Sequence, residues 1–176
     1  ISLDESHKTI FDPQVIKDRL TTLSYDLPKV DVQSIIDTVT EQIYDNIPKH
    51  EIDQLILSSV KERIEKHYDY AYLSSRLVLN NLYKTILDQS FRSDTLEIAY
   101  RSKFHDYIDQ GITLQMLDPR LKAFDLTRLS NAIQPYRDKA FKYLGMQILT
   151  DRYFLRDRTE ERNIYELPQW FWMRVS

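Results

Sequence analysis

The sequence predicts a mainly α protein: a helical bundle followed by a second small helical domain that ends in a β-hairpin. Three observations carry this. Glycine occurs only 2 times in 176 residues, which disfavours sandwiches, barrels and phosphate-cradling loops, because those need glycine for backbone angles other residues avoid. Apolar residues recur with a period near 3.6 through most of the chain, the mark of amphipathic helices. Asp–Pro pairs and lone aspartates stand just ahead of these runs. There a carboxylate can cap free N–H groups, and proline fills a position whose N–H would have no partner.

Ile1–Phe11 reads as extended or disordered. Asp12-Pro13 opens a short helix through Leu23, with Val15, Ile16, Leu20 and Leu23 inward. Pro28 marks a connection, and Asp31 caps a helix whose Val32, Ile35, Ile36, Val39 and Ile43 share a face. Asp45-Asn46-Ile47-Pro48 is a turn. The next helix turns Ile52, Leu55, Ile56, Val60 and Ile64 inward, and its charged end, Lys61, Glu62, Arg63, Glu65 and Lys66, reads as a solvated face. Asp69 starts a fourth helix, with Tyr72, Leu73, Leu77, Leu82, Ile86 and Leu87 inward. Helices joined by such short turns suggest an antiparallel bundle.

Asp88–Arg92 is the expected boundary, giving domains 1–90 and 91–176. Ser93 caps a helix carrying Leu96, Ile98, Phe104 and Ile108 that ends near Gly111, read as the glycine just past a helix end. Asp118-Pro119 and Asp125 open short helices. Pro135 begins a long helix through residue 151. Phe141, Leu144, Ile148 and Leu149 share a helix face, with Phe141, Leu144 and Ile148 expected to be buried and Lys139 and Lys142 exposed. Arg152–Leu155 and Asn163–Glu166 read as extended pieces around a charged tip, Arg156 to Arg162. Pro168 opens a last helix, whose Trp170, Phe171 and Trp172 are expected to anchor an interface, since rows of large aromatics seek a partner surface.

An apolar share of 42% with 29% charged residues is that of an ordinary globular chain. A net charge of −3 leaves no footprint for non-specific nucleic-acid binding. The absence of cysteine excludes disulfides, zinc–thiolate sites and a cysteine nucleophile within these residues. No apolar run approaches the ~20 residues of a membrane span, and no signal peptide is legible, so a cytoplasmic location is expected.

Few side chains are grouped for chemistry. His7, His50, His67 and His105 lack a glutamate three positions earlier, so the Glu-x-x-His metal pattern is missing, and HExxH is missing too. The acid pairs Asp4-Glu5, Glu62/Glu65 and Glu160-Glu161 read as exposed charges near turns and helix ends. Arg152, Arg156, Arg158 and Arg162 alternate with acids and read as a salt-bridged tip, each pair contributing little.

The run Leu149–Phe154 (LTDRYF), the charged turn, Ile164-Tyr165-Glu166, Pro168-Gln169 and Met173-Arg174-Val175 stand in the order found at the front of one enzyme family. The chain resembles the large (α) subunit of class I ribonucleotide reductase, most specifically over its last 40 or so residues. The resemblance implies a helical N-terminal region preceded by an ATP-cone-like part at 1–90. It also implies a catalytic barrel further along, carrying the cysteines for a thiyl radical and a redox pair. The barrel is implied in cis or as a split chain, with a radical-generating small subunit, ATP/dNTP effectors and homo-oligomerisation of the full enzyme.

The cone family's V-x-K-R-x-G tip aligns with Ile1-Ser2-Leu3-Asp4-Glu5-Ser6, where acids replace the phosphate-facing bases. Either the cone is degenerate or residues upstream of Ile1 carry the motif, and tight ATP or dATP binding by this chain is not expected. Lys8, Lys49 and Lys84 are weak candidates for phosphate contacts. No catalytic residue, metal ligand or cofactor site is assigned within the chain, and neither nucleic acid nor membrane is expected as a partner. The alternatives are a stand-alone helical interaction module anchored by the C-terminal aromatics, and an independent nucleotide-sensing regulator.

Overall fold

Aspartates start several of the helices. In the structure, a computed structural model that describes residues 12–45, 47–157, 159 and 161–176, the Asp12 carboxylate accepts from the Gln14 N–H at 2.9 Å and that of Asp31 from the Ser34 N–H at 3.0 Å. Asp118 and Asp125 do the same for Arg120 and Arg128. The helices are α1 (Pro13–Leu23), α2 (Val32–Glu41), α3 (Lys49–Lys61), α4 (Asp69–Leu82), α5 (Leu96–Thr113), α6 (Leu126–Asn131), α7 (Tyr143–Ile148) and α8 (Pro168–Val175). The chain divides into two compact units, Ile1–Leu77 and Val78–Ser176. The division falls inside α4, ahead of the Asp88–Arg92 segment.

In the first unit α2 packs against both α1 and α3. Ile16, Leu20, Leu23, Ile35, Ile36, Val39, Ile52, Ile56 and Val60 form the core. Two expectations fail here. Val15 is 63% exposed, because it lies next to Ile16, at the margin of the narrow apolar stripe. Arg63 is not on a solvated face: it is buried, donating to the Ser59 carbonyl at 2.6 Å and to Ser34 and Thr38 of α2. Its planar, donor-rich guanidinium satisfies several oxygens at once.

In the second unit the end of α4 runs on into a π turn, Tyr83–Leu87, that ends at Asp88 in a left-handed conformation, φ 56°. α5 packs against α6 and against two 3₁₀ turns, Pro119–Ala123 and Pro135–Ala140, and α8 packs on the latter. Ser93 sits two residues before the α5 cap Thr95, accepting from its N–H at 3.3 Å.

Gly111 is not past the end of α5. It lies within the helix, and the left-handed residue that closes the helix is Gln115, φ 55°. The Met116 N–H returns to the Gly111 carbonyl and the Gln115 N–H to Ile112, the pattern of a Schellman ending. Glycine is required at 111 for packing. A Cβ there would stand 2.4 Å from Leu117 Cδ1 and 2.7 Å from its Cγ. Gly111→Ala is therefore expected to destabilise the unit by about 1–3 kcal/mol through overpacking. Urea unfolding checks this, and Leu117→Ala in the same chain should recover part of the loss.

The expected long helix from Pro135 to residue 151 is broken. Pro135–Ala140 is 3₁₀, Phe141 and Lys142 are extended, and α7 starts afresh at Tyr143. The two extended residues reset the helical phase, so Met146, Leu149 and Thr150 turn inward. Leu144 and Ile148, expected to be buried, are 67% and 40% exposed, and Phe141 is half-buried. Lys142 is exposed as expected, while Lys139 is half-buried.

α7 runs into a second π turn, Leu149–Tyr153, so Arg152 and Tyr153 are helical rather than extended. Among the described residues the expected hairpin is a single antiparallel bridge, Arg156↔Ile164, flanked by Asp157 N–H to Asn163 carbonyl and Tyr165 N–H to Leu155 carbonyl bonds, both 2.8 Å. The Asp157 carboxylate folds the tip by accepting from the Thr159 hydroxyl at 2.6 Å and the Asn163 N–H at 3.0 Å. The expectations for Ile1–Phe11, Asn46, Arg158 and Glu160 lie outside the described residues.

Candidate functional site

The residues Glu166, Gln169 and Arg174, which carry the C-terminal pattern, converge inside the second unit. Glu166 is wholly buried. Its two oxygens accept from Arg174 Nε at 2.7 Å and a second Arg174 guanidinium nitrogen at 3.0 Å, a bidentate pair. The Tyr107 hydroxyl and the Leu155 N–H donate to it as well. A buried carboxylate is tolerated only when so thoroughly paired.

Gln169, in the first turn of α8, mimics a backbone strand. Its side-chain oxygen accepts from the Gln134 N–H at 2.7 Å and its amide donates to the Gln134 carbonyl at 2.6 Å. The same amide reaches Asp138 Oδ1 at 3.1 Å. Asp138 is buried in the 3₁₀ turn 135–140 and also accepts from the Tyr83 hydroxyl at 2.6 Å and the Tyr100 hydroxyl at 3.2 Å. Tyr100 OH in turn accepts the Gln169 N–H at 3.1 Å, serving as a cap for the start of α8. Trp170 lies between these two nodes, stacked on Tyr107 at 4.8 Å and edge-on to Tyr100 at 5.5 Å.

Burial sets the electrostatics. It pushes the Asp138 carboxyl up to about 6, the hydrogen bonds from Tyr83, Gln169 and Tyr100 opposing it. Burial and then the Asp138 charge raise Tyr83 and Tyr100 well above the ordinary phenol range. Tyr107 is raised by burial and then by Glu166. Tyr165 is pushed up to about 12, chiefly by burial.

The folded unit thus holds a proton on Asp138 more tightly than the unfolded chain does. That contribution to stability is fully present below the unfolded value near 3.8 and is lost as pH rises through about 6. Lowering the pH from 7 to 5 should therefore add roughly 1 kcal/mol from this group. Asp138→Asn should remove that increment. Unfolding can be followed by tryptophan fluorescence, because both tryptophans, Trp170 and Trp172, lie in α8 of this unit. Equal pH responses of the two proteins would refute the assignment.

Two clefts open beside the network. One of about 320 Å³ is lined by Tyr83, Phe91, Arg92, Tyr136 and Lys139 among others. The other, about 220 Å³, is bordered by Lys103, Asp106, Tyr107, Gln110, Tyr165 and Trp170. No group of three or more His, Asp or Glu side chains among the described residues could hold a metal ion. His50 is exposed in the first turn of α3, His67 accepts from the Asp69 N–H at 3.1 Å, and His105 lies edge-on to Phe104.

The network does not include the lysines expected to touch phosphate. Lys8 lies outside the described residues, Lys49 is exposed at the start of α3 in the first unit, and Lys84 is exposed in the π turn of the second. Of the aromatics expected at an interface, Trp170 and Phe171 are 2% and 7% exposed within the fold, and Trp172 is 49% exposed. Tyr83, Tyr100, Tyr107 and Asp138 escaped the sequence reading. A signal for the tyrosines of α5 is nonetheless present in the sequence, since Leu96, Tyr100, Phe104, Tyr107, Ile108 and Gly111 form one helical face. Asp138, between Arg137 and Lys139, gave no such signal.

The geometry is that of a helical scaffold whose pattern residues are internal. The chain is 39% identical over 147 residues to the ribonucleoside-diphosphate reductase subunit alpha of Chlamydia muridarum, covering 83% of this chain and 14% of that protein. It is 32% identical over 176 residues to the subunit alpha of Chlamydia trachomatis, covering 100% of this chain and 16% of that protein. To the large subunit of Plasmodium falciparum it is 30% identical over 177 residues, covering 98% and 20%. No protein-family model matches the chain.

These matches define the class as a helical segment of a nucleotide reductase. The chain belongs to the ribonucleoside-diphosphate reductase large-subunit family, as an N-terminal portion of such a subunit. It spans 14% to 16% of the length of the two chlamydial subunits. No helix among the described residues is long and apolar enough to cross a membrane.

Proposed function

We propose that this chain is the N-terminal regulatory and scaffold portion of a large subunit whose complete form reduces ribonucleotides to deoxyribonucleotides for DNA synthesis. The observation that carries this reading is the inward placement of the polar residues of the C-terminal pattern. Glu166, Gln169 and Arg174 bind α5, the 135–140 turn and α8 to one another, so their work is to hold a framework rather than to meet substrate. On this reading residues 1–90 are an ATP-cone-like domain with an acidic tip, and 91–176 are the helical domain ahead of the catalytic barrel. Lys8, Lys49 and Lys84 are its weak nucleotide-contact candidates. The partners are the rest of the large subunit and a radical-generating small subunit, with ATP or deoxynucleotides as effectors, in the cytoplasm.

The chain has no cysteine, so it cannot supply a thiyl radical or a redox thiol pair. Incubated with the small subunit, reductant and a ribonucleoside diphosphate, it should yield no deoxynucleotide. The complete large subunit should turn over under the same conditions. Product from the 176-residue chain, or none from the complete subunit, would sink the reading.

A further inference from the structure

Five oxidisable rings stand in series inside the second unit. Between ring centres, Tyr165 lies 5.5 Å from Tyr107 and Tyr107 4.8 Å from Trp170. Trp170 lies 5.5 Å from Tyr100, and Tyr100 5.9 Å from Tyr83. Packing alone asks only for aromatic bulk. Phenylalanine would supply it without burying hydroxyls that must then be paired. Each buried phenol of the row instead has a carboxylate as its acceptor. Tyr107 donates to Glu166, and Tyr100 and Tyr83 donate to Asp138 at 3.2 and 2.6 Å. The two ends differ in access. Tyr165 is half-buried and borders the smaller cleft, while Tyr83, although beside the larger cleft, is 0% exposed, as is Tyr100.

We propose that this row is a one-electron relay that carries an oxidising equivalent inward from Tyr165 and stores it as a neutral tyrosyl radical on Tyr83 or Tyr100, beside Asp138. The relay is a property of the second unit alone and goes beyond the reading given under Proposed function. The oxidant is a diffusible one-electron acceptor of the carbonate-radical class, met at the smaller cleft. With no cysteine in the chain, tyrosine and tryptophan are its readiest one-electron donors. A phenol gives up an electron readily only when its proton leaves too, so each relay tyrosine needs a proton acceptor within hydrogen-bond reach. The oxidant takes one electron from Tyr165, whose proton goes to solvent. Tyr107 refills Tyr165, which regains a proton from solvent, and Tyr107 lends its own phenol proton to Glu166. Trp170 refills Tyr107 as Glu166 returns that proton, and the indole is left as a radical cation. The electron that refills Trp170 leaves Tyr100 or Tyr83, whose O–H bond breaks as an O–H bond forms on Asp138. In sum the oxidant gains one electron, one tyrosine becomes a neutral radical and Asp138 becomes protonated. A diffusible reductant of the ascorbate class returns the electron, and Asp138 returns the proton.

The two carboxylates suit these roles. Glu166 is held in its charged form by the bidentate Arg174 and the Leu155 N–H, so a proton lent to it goes back. Burial raises the Asp138 carboxyl to about 6, which makes it the better resting place for a proton while leaving it mostly ionised at neutral pH. Burial of Tyr83 and Tyr100 also keeps a radical there from coupling to a second tyrosine, the irreversible end of oxidation at a surface.

Freeze-quench electron paramagnetic resonance on the 176-residue chain tests this, with ruthenium tris-bipyridine, persulfate and a light pulse as the oxidant. Exposed tyrosines such as Tyr136 and Tyr153 also oxidise, but they couple and vanish, so the readout is the tyrosyl signal that persists. That signal is expected in the parent chain and in Trp172→Phe, because the ring beside Trp172 is Phe171, which does not relay charge. It should be lost in Tyr165→Phe and in Trp170→Phe. Tyr83→Phe should change its hyperfine shape, leaving the radical on Tyr100, and Tyr83→Phe with Tyr100→Phe should abolish it. Circular dichroism checks that each variant is folded, and Tyr165→Phe, at a half-buried position, keeps the test decisive if Trp170→Phe unfolds. Absence of the persistent signal from the parent overturns the proposal. So does its survival in Tyr165→Phe or in the Tyr83, Tyr100 double variant, or its loss in Trp172→Phe.

Discussion

Glu166→Ala is expected to lower the stability of the second unit by roughly 3–5 kcal/mol, the cost of removing one partner from a buried ion pair. The carboxylate is wholly buried and holds both the bidentate Arg174 guanidinium and the Tyr107 hydroxyl. Without it Arg174, only 22% exposed, keeps its charge in a place that no longer answers it. The Leu155 N–H also loses its acceptor, which loosens the entry to the 156–164 bridge. Glu166→Gln preserves the shape and one acceptor oxygen and should lose less. Urea unfolding followed by tryptophan fluorescence measures both variants. A Glu166→Ala midpoint within error of the parent would show that the network does not stabilise the unit.

Trp170→Ala should cost about as much, roughly 3–5 kcal/mol for a large aromatic removed from a core. Trp170 touches both halves of the polar network: it stacks on Tyr107, meets Tyr100 edge-on, and donates its indole N–H to the Tyr100 carbonyl at 3.3 Å. Truncation leaves a cavity between α5 and α8 and removes the indole bond that supplements the helical one at the Tyr100 carbonyl. Thermal unfolding by circular dichroism is the measurement, because the variant loses its buried fluorophore. Trp170→Phe keeps the stacking and loses only the indole N–H, so its loss should be smaller. A larger loss for Phe than for Ala would contradict this account.

Helix starts were legible because their cause is local. Asp12, Asp31, Asp118 and Asp125 each bind an N–H two or three residues on, a contact written within a few letters of sequence. The core faces of α2 and α3 were legible for the same reason, since Ile35, Ile36, Val39, Ile52, Ile56 and Val60 keep a regular period. What failed depended on contacts distant in sequence or on broken periods. Gly111 looked like a helix stop, but its meaning is the Leu117 side chain lying against it. Arg63 looked solvated, but its partners are Ser34 and Thr38 on α2. An unbroken helical period places Leu144 and Ile148 on the buried face, and the extended Phe141 and Lys142 break that period and turn them outward. The candidate site was half legible: the C-terminal pattern pointed to Glu166 and Gln169, but nothing local marked Asp138 as the acceptor for two tyrosines 55 and 38 positions away.

The π turn at Leu149–Tyr153 also bears on how the segment tolerates changes in length. It closes with the Phe154 N–H reaching back five residues to the Leu149 carbonyl at 2.8 Å, one residue more than an α turn contains. Deleting a single residue there would let the turn revert to ordinary α winding with the chain beyond it nearly in phase, whereas the same deletion within a regular helix such as α5 would rotate everything beyond by about 100°. The Asp157–Asn163 tip is tolerant in another way: its ends are clamped by backbone pairing, and added residues would only lengthen a surface turn. Among related chains, insertions should gather at the tip, and a one-residue difference between Leu149 and Phe154 should be absorbed by the turn while α5 keeps its length.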